Sequence, residues 1–82
     1  MNTKIKLIAK EIYFKTDKTP ESANATDVFK AMDALGFSSY TQCQFQSDAY
    51  GSIKQNLFNN IIDHMWVIDE MVDGAAGEFP LG

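Results

Sequence analysis

His64, Cys43 and a group of carboxylates are the side chains of this sequence that could do chemistry. A thiol beside an imidazole would make an activated nucleophile, but Cys43 alternates with Thr41 and Phe45 in a pattern that suits a small core residue. His64 is the only histidine, and its neighbour Asp63 points elsewhere, because adjacent positions on a helix do not face each other. Counted from Ile53 at about 100° per residue, Asp63, Asp69, Glu70 and Asp73 fall at about 280°, 160°, 260° and 200°. They form no nest for a cation, and no EF-hand loop or Glu-x-x-His repeat adds further ligands. Gly51, Gly74, Gly77 and Gly82 lack the spacing of a phosphate cradle. The expectation is a protein that is not an enzyme and that uses no cofactor and no metal.

Stepping from these residues to the chain that carries them, 82 residues with 45% apolar and 12% aromatic content suit one small domain. The division expected is a compact unit over 1–74 with a flexible or docking tail over 75–82. The lone Cys43 allows no intramolecular disulfide, which fits a reducing, cytoplasmic setting. The apolar residues of Ile5 to Phe14 are interrupted by Lys6, Lys10 and Glu11, so a secretory leader is not expected there. No run approaches the ~20 apolar residues of a membrane span, so no membrane partner is expected.

The net charge of −4 is unevenly placed. Residues 1–46 carry six Lys against Glu11, Asp17, Glu21, Asp27 and Asp33, a net of +1, whereas residues 47–82 carry Lys54 against six acids, a net of −5. There is no Arg, the residue best suited to bidentate phosphate or guanine recognition. Lys4, Lys6, Lys10, Lys15 and Lys18 could line a basic strand, so direct nucleic-acid binding through the N-terminal segment stands as an alternative function, ranked below protein binding.

The elements expected are β-α-β-α in order, an α+β fold. Lys4 to Thr16 alternates through Ile5, Leu7 and Ala9 and changes phase at Ile12 and Phe14, as a bulged strand would. Ile5, Ile8, Ala9 and Ile12 also recur at three- and four-residue spacing, the pattern of a helix, which is the second reading of this segment. Asp17 to Thr19 is a turn, after which Thr19 can cap a helix beginning with Pro20 and Glu21, with Asn24 or Thr26 as a second possible start; Ala25, Val28, Met32 and Leu35 lie inside and Gly36 at its end. Ser38 to Ser47 reads as a half-buried strand with Thr41, Cys43 and Phe45 on one face and Tyr40, Gln42, Gln44 and Gln46 on the other. The last element is a long C-terminal amphipathic helix over Ser52 to Asp73, stopped by Gly74. Phe79, Pro80 and Leu81 then belong to the tail and could dock in a groove.

That last helix has an unusually wide apolar arc. Ile53, Leu57, Ile61, Ile68, Met71 and Val72 make an ordinary core stripe, with His64 on its inner side. Phe58, Ile62, Met65 and Trp66 extend the arc to about 220°, beyond what a core face requires. They are the expected protein-binding residues, with Asp63, Asp69, Glu70 and Asp73 steering toward a partner with a basic surface. Covering about 200 Å² of such surface contributes about 5 kcal/mol before association costs. A homodimer would cover the cluster, or join the exposed edges of a two-stranded sheet, and folding of the chain over the cluster is the competing explanation. In size, acidity and lack of catalytic residues, the chain resembles small phage inhibitors of bacterial defence systems, including anti-CRISPR proteins. The resemblance is one of character and rests on no motif. It implies a regulator or inhibitor that occupies a nucleic-acid-binding site by presenting carboxylates in place of phosphates. A structural subunit of a larger assembly is the remaining alternative.

Overall fold

The computed structural model describes residues 3–47 and 52–78, with side chains through Val72. Its elements are four helices: α1 (Thr3–Lys15), α2 (Ala25–Ala34), α3 (Ser39–Phe45) and α4 (Gln55–Glu78). The expected α+β, β-α-β-α fold is therefore overturned, since both segments expected as strands are helical and no sheet is present among the described residues.

The first segment follows its three- and four-residue spacing. Ile5, Ile8, Ala9 and Ile12 are the buried residues of α1, whereas Leu7, which the alternating pattern would place beside them, is exposed. In a strand, Ile5, Leu7 and Ala9 would share a face and Ile8 would oppose them. A single helical stripe buries all four of the residues that are buried here. After Lys15 the chain reverses through Asp17, whose φ of 57° is left-handed, a conformation that aspartate tolerates better than most residues.

α2 starts at Ala25, the second of its two expected starts; the expected start at Pro20 is not observed, since residues 20–22 form a turn. Asn24 caps it through a reciprocal pair of hydrogen bonds: the Asp27 N–H donates to Asn24 Oδ1 at 3.1 Å, and the Asn24 N–H donates to Asp27 Oδ2 at 3.0 Å. At the far end Gly36 has φ of 80°, the Phe37 N–H donates to the Met32 carbonyl at 2.9 Å and the Gly36 N–H to the Asp33 carbonyl at 3.0 Å. These two bonds satisfy carbonyls that the end of a helix otherwise leaves open. Val28, Ala31 and Met32 are buried, with Phe29 and Leu35 packed at the margin.

α3 is short, with Ser38 as its N-cap and Phe45 as its only buried residue. Of the polar residues expected on one strand face, Gln42 is tied down, donating from Nε2 to Asp33 Oδ1 of α2 at 2.7 Å and to the Phe37 carbonyl at 3.1 Å, whereas Tyr40, Gln44 and Gln46 are exposed. Cys43 is a free, exposed thiol instead of a core residue. What extended pairing remains is the isolated bridge between Gln46 and Ile53, flanked by bonds from the Lys54 N–H to the Phe45 carbonyl and from the Ser47 N–H to the Ser52 carbonyl.

α4 begins at Gln55 and continues past Gly74 to Glu78, so the expected stop at Gly74 is not observed. The tail residues 79–82, including Phe79, Pro80 and Leu81, lie outside the described residues. At 1.5 Å per residue this helix is about 36 Å long, and it forms the spine on which α1 lies. Tyr13 bonds Asp69, while Lys6 and Lys10 stand near His64, so α1 and α4 advance in step and run in the same direction. The core joins Ile5, Ile8, Ala9 and Ile12 to Val28, Ala31, Met32, Phe45, Ile53, Ile61, Met65 and Ile68.

Met65 is completely buried, whereas its neighbour Trp66 is 40% exposed. Truncating Met65 to Ala is expected to cost about 2–5 kcal/mol through a core cavity, and Trp66→Ala about 1 kcal/mol or less. Asn24→Ala, which removes the α2 cap, is expected to cost about 1 kcal/mol. Urea denaturation of the three variants checks this ranking, and equal losses for Met65→Ala and Trp66→Ala would refute the assigned orientation of α4.

Candidate functional site: the solvent faces of α4

The wide apolar arc of α4 is largely covered from within. Met65 is in the core, and Phe58 and Ile62 are partly buried against it. Of the four apolar residues expected to bind a partner, Trp66 alone is exposed, with more than half of its surface covered. The inward direction of α4 lies between the two halves of its arc: Ile61, Met65 and Ile68 are buried, Leu57 is half-buried, and Met71 and Val72, both expected in the core stripe, are exposed.

The expected acidic residues part company as well. Asp69 is half-buried and accepts a 2.6 Å hydrogen bond from the Tyr13 hydroxyl, so it ties α4 to α1 and is less free to meet a partner. Asp63 and Glu70 are exposed; the side chain of Asp73 lies outside the described ones. Trp66, Asp63 and Glu70 fall within about 60° of one another around α4, so they form one acidic and aromatic strip, narrower than the surface the sequence suggests.

A second feature lies on the other flank of α4. A groove of about 440 Å³ runs between α1 and α4, lined by Lys6, Lys10, Phe14, His64, Ile68, Met71 and Val72. Phe14 and Met71 are 59% and 67% exposed, far more than their size would favour without a purpose or a cover. Sequence reasoning missed this site because it places Lys6, Lys10 and Phe14 on a strand. Their spacing of four residues is the signal for it, since on a helix the three line one side. His64, expected as a boundary residue, is half-buried in the groove wall. Burial holds its imidazole below the usual histidine range, and the positive charges of Lys6 and Lys10 lower it further.

The lysines of α1 do not form one stripe. Measured from Ile5, Lys6 and Lys10 fall at about 100° and 140°, but Lys4 and Lys15 at about 260° and 280°, on the opposite side of the buried stripe. Lys18 lies beside the α2 cap, 4.0 Å from Asp27. The proposed basic strand is thus replaced by a helix with its cations divided between two flanks.

Among the described residues no three His, Cys, Asp or Glu side chains are grouped for a metal ion, and no helix is long and apolar enough to cross a membrane. A smaller depression beside Asn24, Ser52 and Phe58 is lined by no ionisable side chain. No protein-family model, curated protein or solved structure matches the chain. These surfaces offer an exposed aromatic side chain with carboxylates on one flank, and an apolar groove with cations on the other.

Because its affinity for protons is lowered by folding, His64 makes the folded state the weaker proton binder. Its contribution is fully present above the unfolded value of 6.5 and declines as pH falls below 6.5 toward the depressed folded value. Thermal unfolding followed from pH 8 to about 5 should show stability decreasing through this window, with a shallower decrease in His64→Gln. An unchanged slope in that variant would contradict the assignment.

Proposed function

We propose that this protein is a non-enzymatic, protein-binding regulator or inhibitor that recognises a basic partner surface through Trp66, Asp63 and Glu70. The observation that carries the reading is an exposed Trp66 on a regular helix between two exposed carboxylates, Asp63 and Glu70, for which no ion pair is found among the described residues. A tryptophan on a rigid helix supplies large apolar area with little ordering cost, and flanking carboxylates favour a cationic partner and reject an anionic one. An inhibitor of a nucleic-acid-binding complex, such as a phage-type inhibitor of a bacterial defence system, is the form of this reading in which Asp63 and Glu70 stand in for phosphates. The compartment is cytoplasmic: an exposed, solitary Cys43 is compatible with a reducing environment and would be prone to intermolecular cross-linking in an oxidising one.

Homodimerisation has less to support it than the sequence pattern suggests. Among the described residues there is no two-stranded sheet whose edges need pairing, and Met65 is already buried. Pairing of two acidic strips would also bring Asp63 and Glu70 toward their own copies. The nucleic-acid alternative is weakened by the divided placement of the α1 lysines.

Affinity capture from the native host, with wild-type protein and with Trp66→Ala and Asp63→Lys/Glu70→Lys variants, tests the reading. All three positions are exposed, so helix content should be unchanged by circular dichroism. A captured basic protein is expected to lose about 30-fold in affinity for Trp66→Ala, the scale of an interface hot spot, and to be released by the charge reversal and by added salt. Capture that is insensitive to both variants would refute the assigned face. Salt-sensitive binding of labelled duplex or single-stranded nucleic acid that is lost on charge reversal of Lys4, Lys6 and Lys10 would favour the competing function.

A further inference from the structure

The groove between α1 and α4 is separate from the Trp66 strip and opposite to it in charge. Its apolar part is made by Phe14, Ile68, Met71 and Val72, and its cationic part by Lys6 and Lys10. No carboxylate is within ion-pair distance of either lysine among the described residues. The apolar surface also extends past the groove. Leu7 and Phe14 on α1, and Val67 and Met71 on α4, are exposed. With Lys10 and His64 they complete two ridges, Leu7-Lys10-Phe14 and His64-Val67-Met71, each at i, i+3, i+7 spacing on helices that run in the same direction. The ridges are about 10 Å long, two helical turns.

We propose that this two-ridge face is a docking site for an acidic amphipathic helix of a partner protein. Such a helix presents its own apolar residues at i, i+3, i+4 and i+7, the length and spacing of the ridges, and seats them between α1 and α4. Carboxylates beside its apolar stripe meet Lys6 and Lys10, whose ammonium groups would otherwise be desolvated without partners. That requirement decides against two-fold, face-to-face pairing of two copies of the chain. Face-to-face two-fold docking would set Lys6, Lys10 and His64 against the same three residues. A small anionic amphiphile would fill the groove but leave Leu7 and Val67 uncovered, since neither lines it.

The test is a display selection with the full-length protein as bait. The peptides are two- to three-turn helices with Leu fixed at i, i+3, i+4 and i+7, and Glu, Gln and Lys randomised at the flanking positions. Wild-type bait is expected to enrich Glu, and Lys6→Glu/Lys10→Glu bait to enrich Lys. The best acidic peptide should lose at least about tenfold in affinity for the charge-reversed bait, as expected when attraction between close charges becomes repulsion. Met71→Glu should reduce recovery of the acidic peptides. Lys6, Lys10 and Met71 are exposed, and unchanged helix content by circular dichroism serves as the folding control. No enrichment, enrichment of Lys by wild-type bait, or the same charge preference on both baits would overturn the proposal. Binding of dodecanoate without peptide enrichment would overturn it in favour of a small-ligand pocket. The Trp66 strip is read separately, because host capture through it should survive the Lys6 and Lys10 reversals.

Discussion

The packing of one isoleucine-rich stripe on α1 against the inner side of α4 is the contact on which the rest of this structure depends. Ile5, Ile8, Ala9 and Ile12 bring α1 onto Ile61, Met65 and Ile68, and the same stripe reaches Val28, Ala31 and Met32 of α2. In a chain of 82 residues the core is small, and a large fraction of its apolar burial passes through this one interface. The orientation of α4 follows from it. Once Met65 turns inward, Trp66 turns outward, Asp69 comes within reach of Tyr13, and His64 is left at the edge of the groove beside the α1 lysines.

Legibility varied with the kind of signal. α2 was readable in its body and its end, where Gly36 takes a left-handed turn whatever packs above it, but its start, expected first at Pro20, is fixed instead by Asn24 and Asp27, which satisfy each other's backbone amides. The first segment was ambiguous for a physical reason. Ile5 and Ala9 satisfy both a two-residue and a four-residue repeat, and only the placement of Leu7 and Ile8 separates strand from helix. β-branched isoleucine tilts local propensity toward strand, and burial of a continuous stripe overrides it. In α3 the alternating Gln pattern was equally misleading, because Ser38 as a cap and the Gln42 bonds to α2 favour a short helix. The long final helix was recognisable from its period, but the width of its apolar arc did not reveal which part would face inward. That depended on where α1 lay. The candidate site was legible to the same extent: Trp66, Asp63 and Glu70 could be named from α4 alone, while the groove required two helices that are distant in sequence.

The charge asymmetry acquires a spatial meaning in this fold. Cations of α1 and carboxylates of α4 do not simply neutralise each other across the helix pair; Lys6 and Lys10 border the groove, and Asp63 and Glu70 lie with Trp66 on the other flank. The helix pair thus carries two flanks of opposite sign with exposed apolar side chains on each. In the function proposed above, specificity would come from the sign of each rim and affinity from its apolar anchors. Among the described residues no three His, Cys, Asp or Glu side chains are grouped for a metal ion.

The central claim is that residues 3–15 form a helix whose isoleucine stripe packs on α4. It is tested most directly by backbone chemical shifts and methyl NOEs of the labelled full-length protein. The account predicts helical Cα shifts throughout Thr3–Lys15, NOEs from the methyl groups of Ile8 and Ile12 into the side chains of Ile61, Met65 and Ile68, and none to Trp66 of comparable strength. Extended shifts over this segment, or NOEs placing Leu7 inside with Ile5 and Ala9, would contradict it.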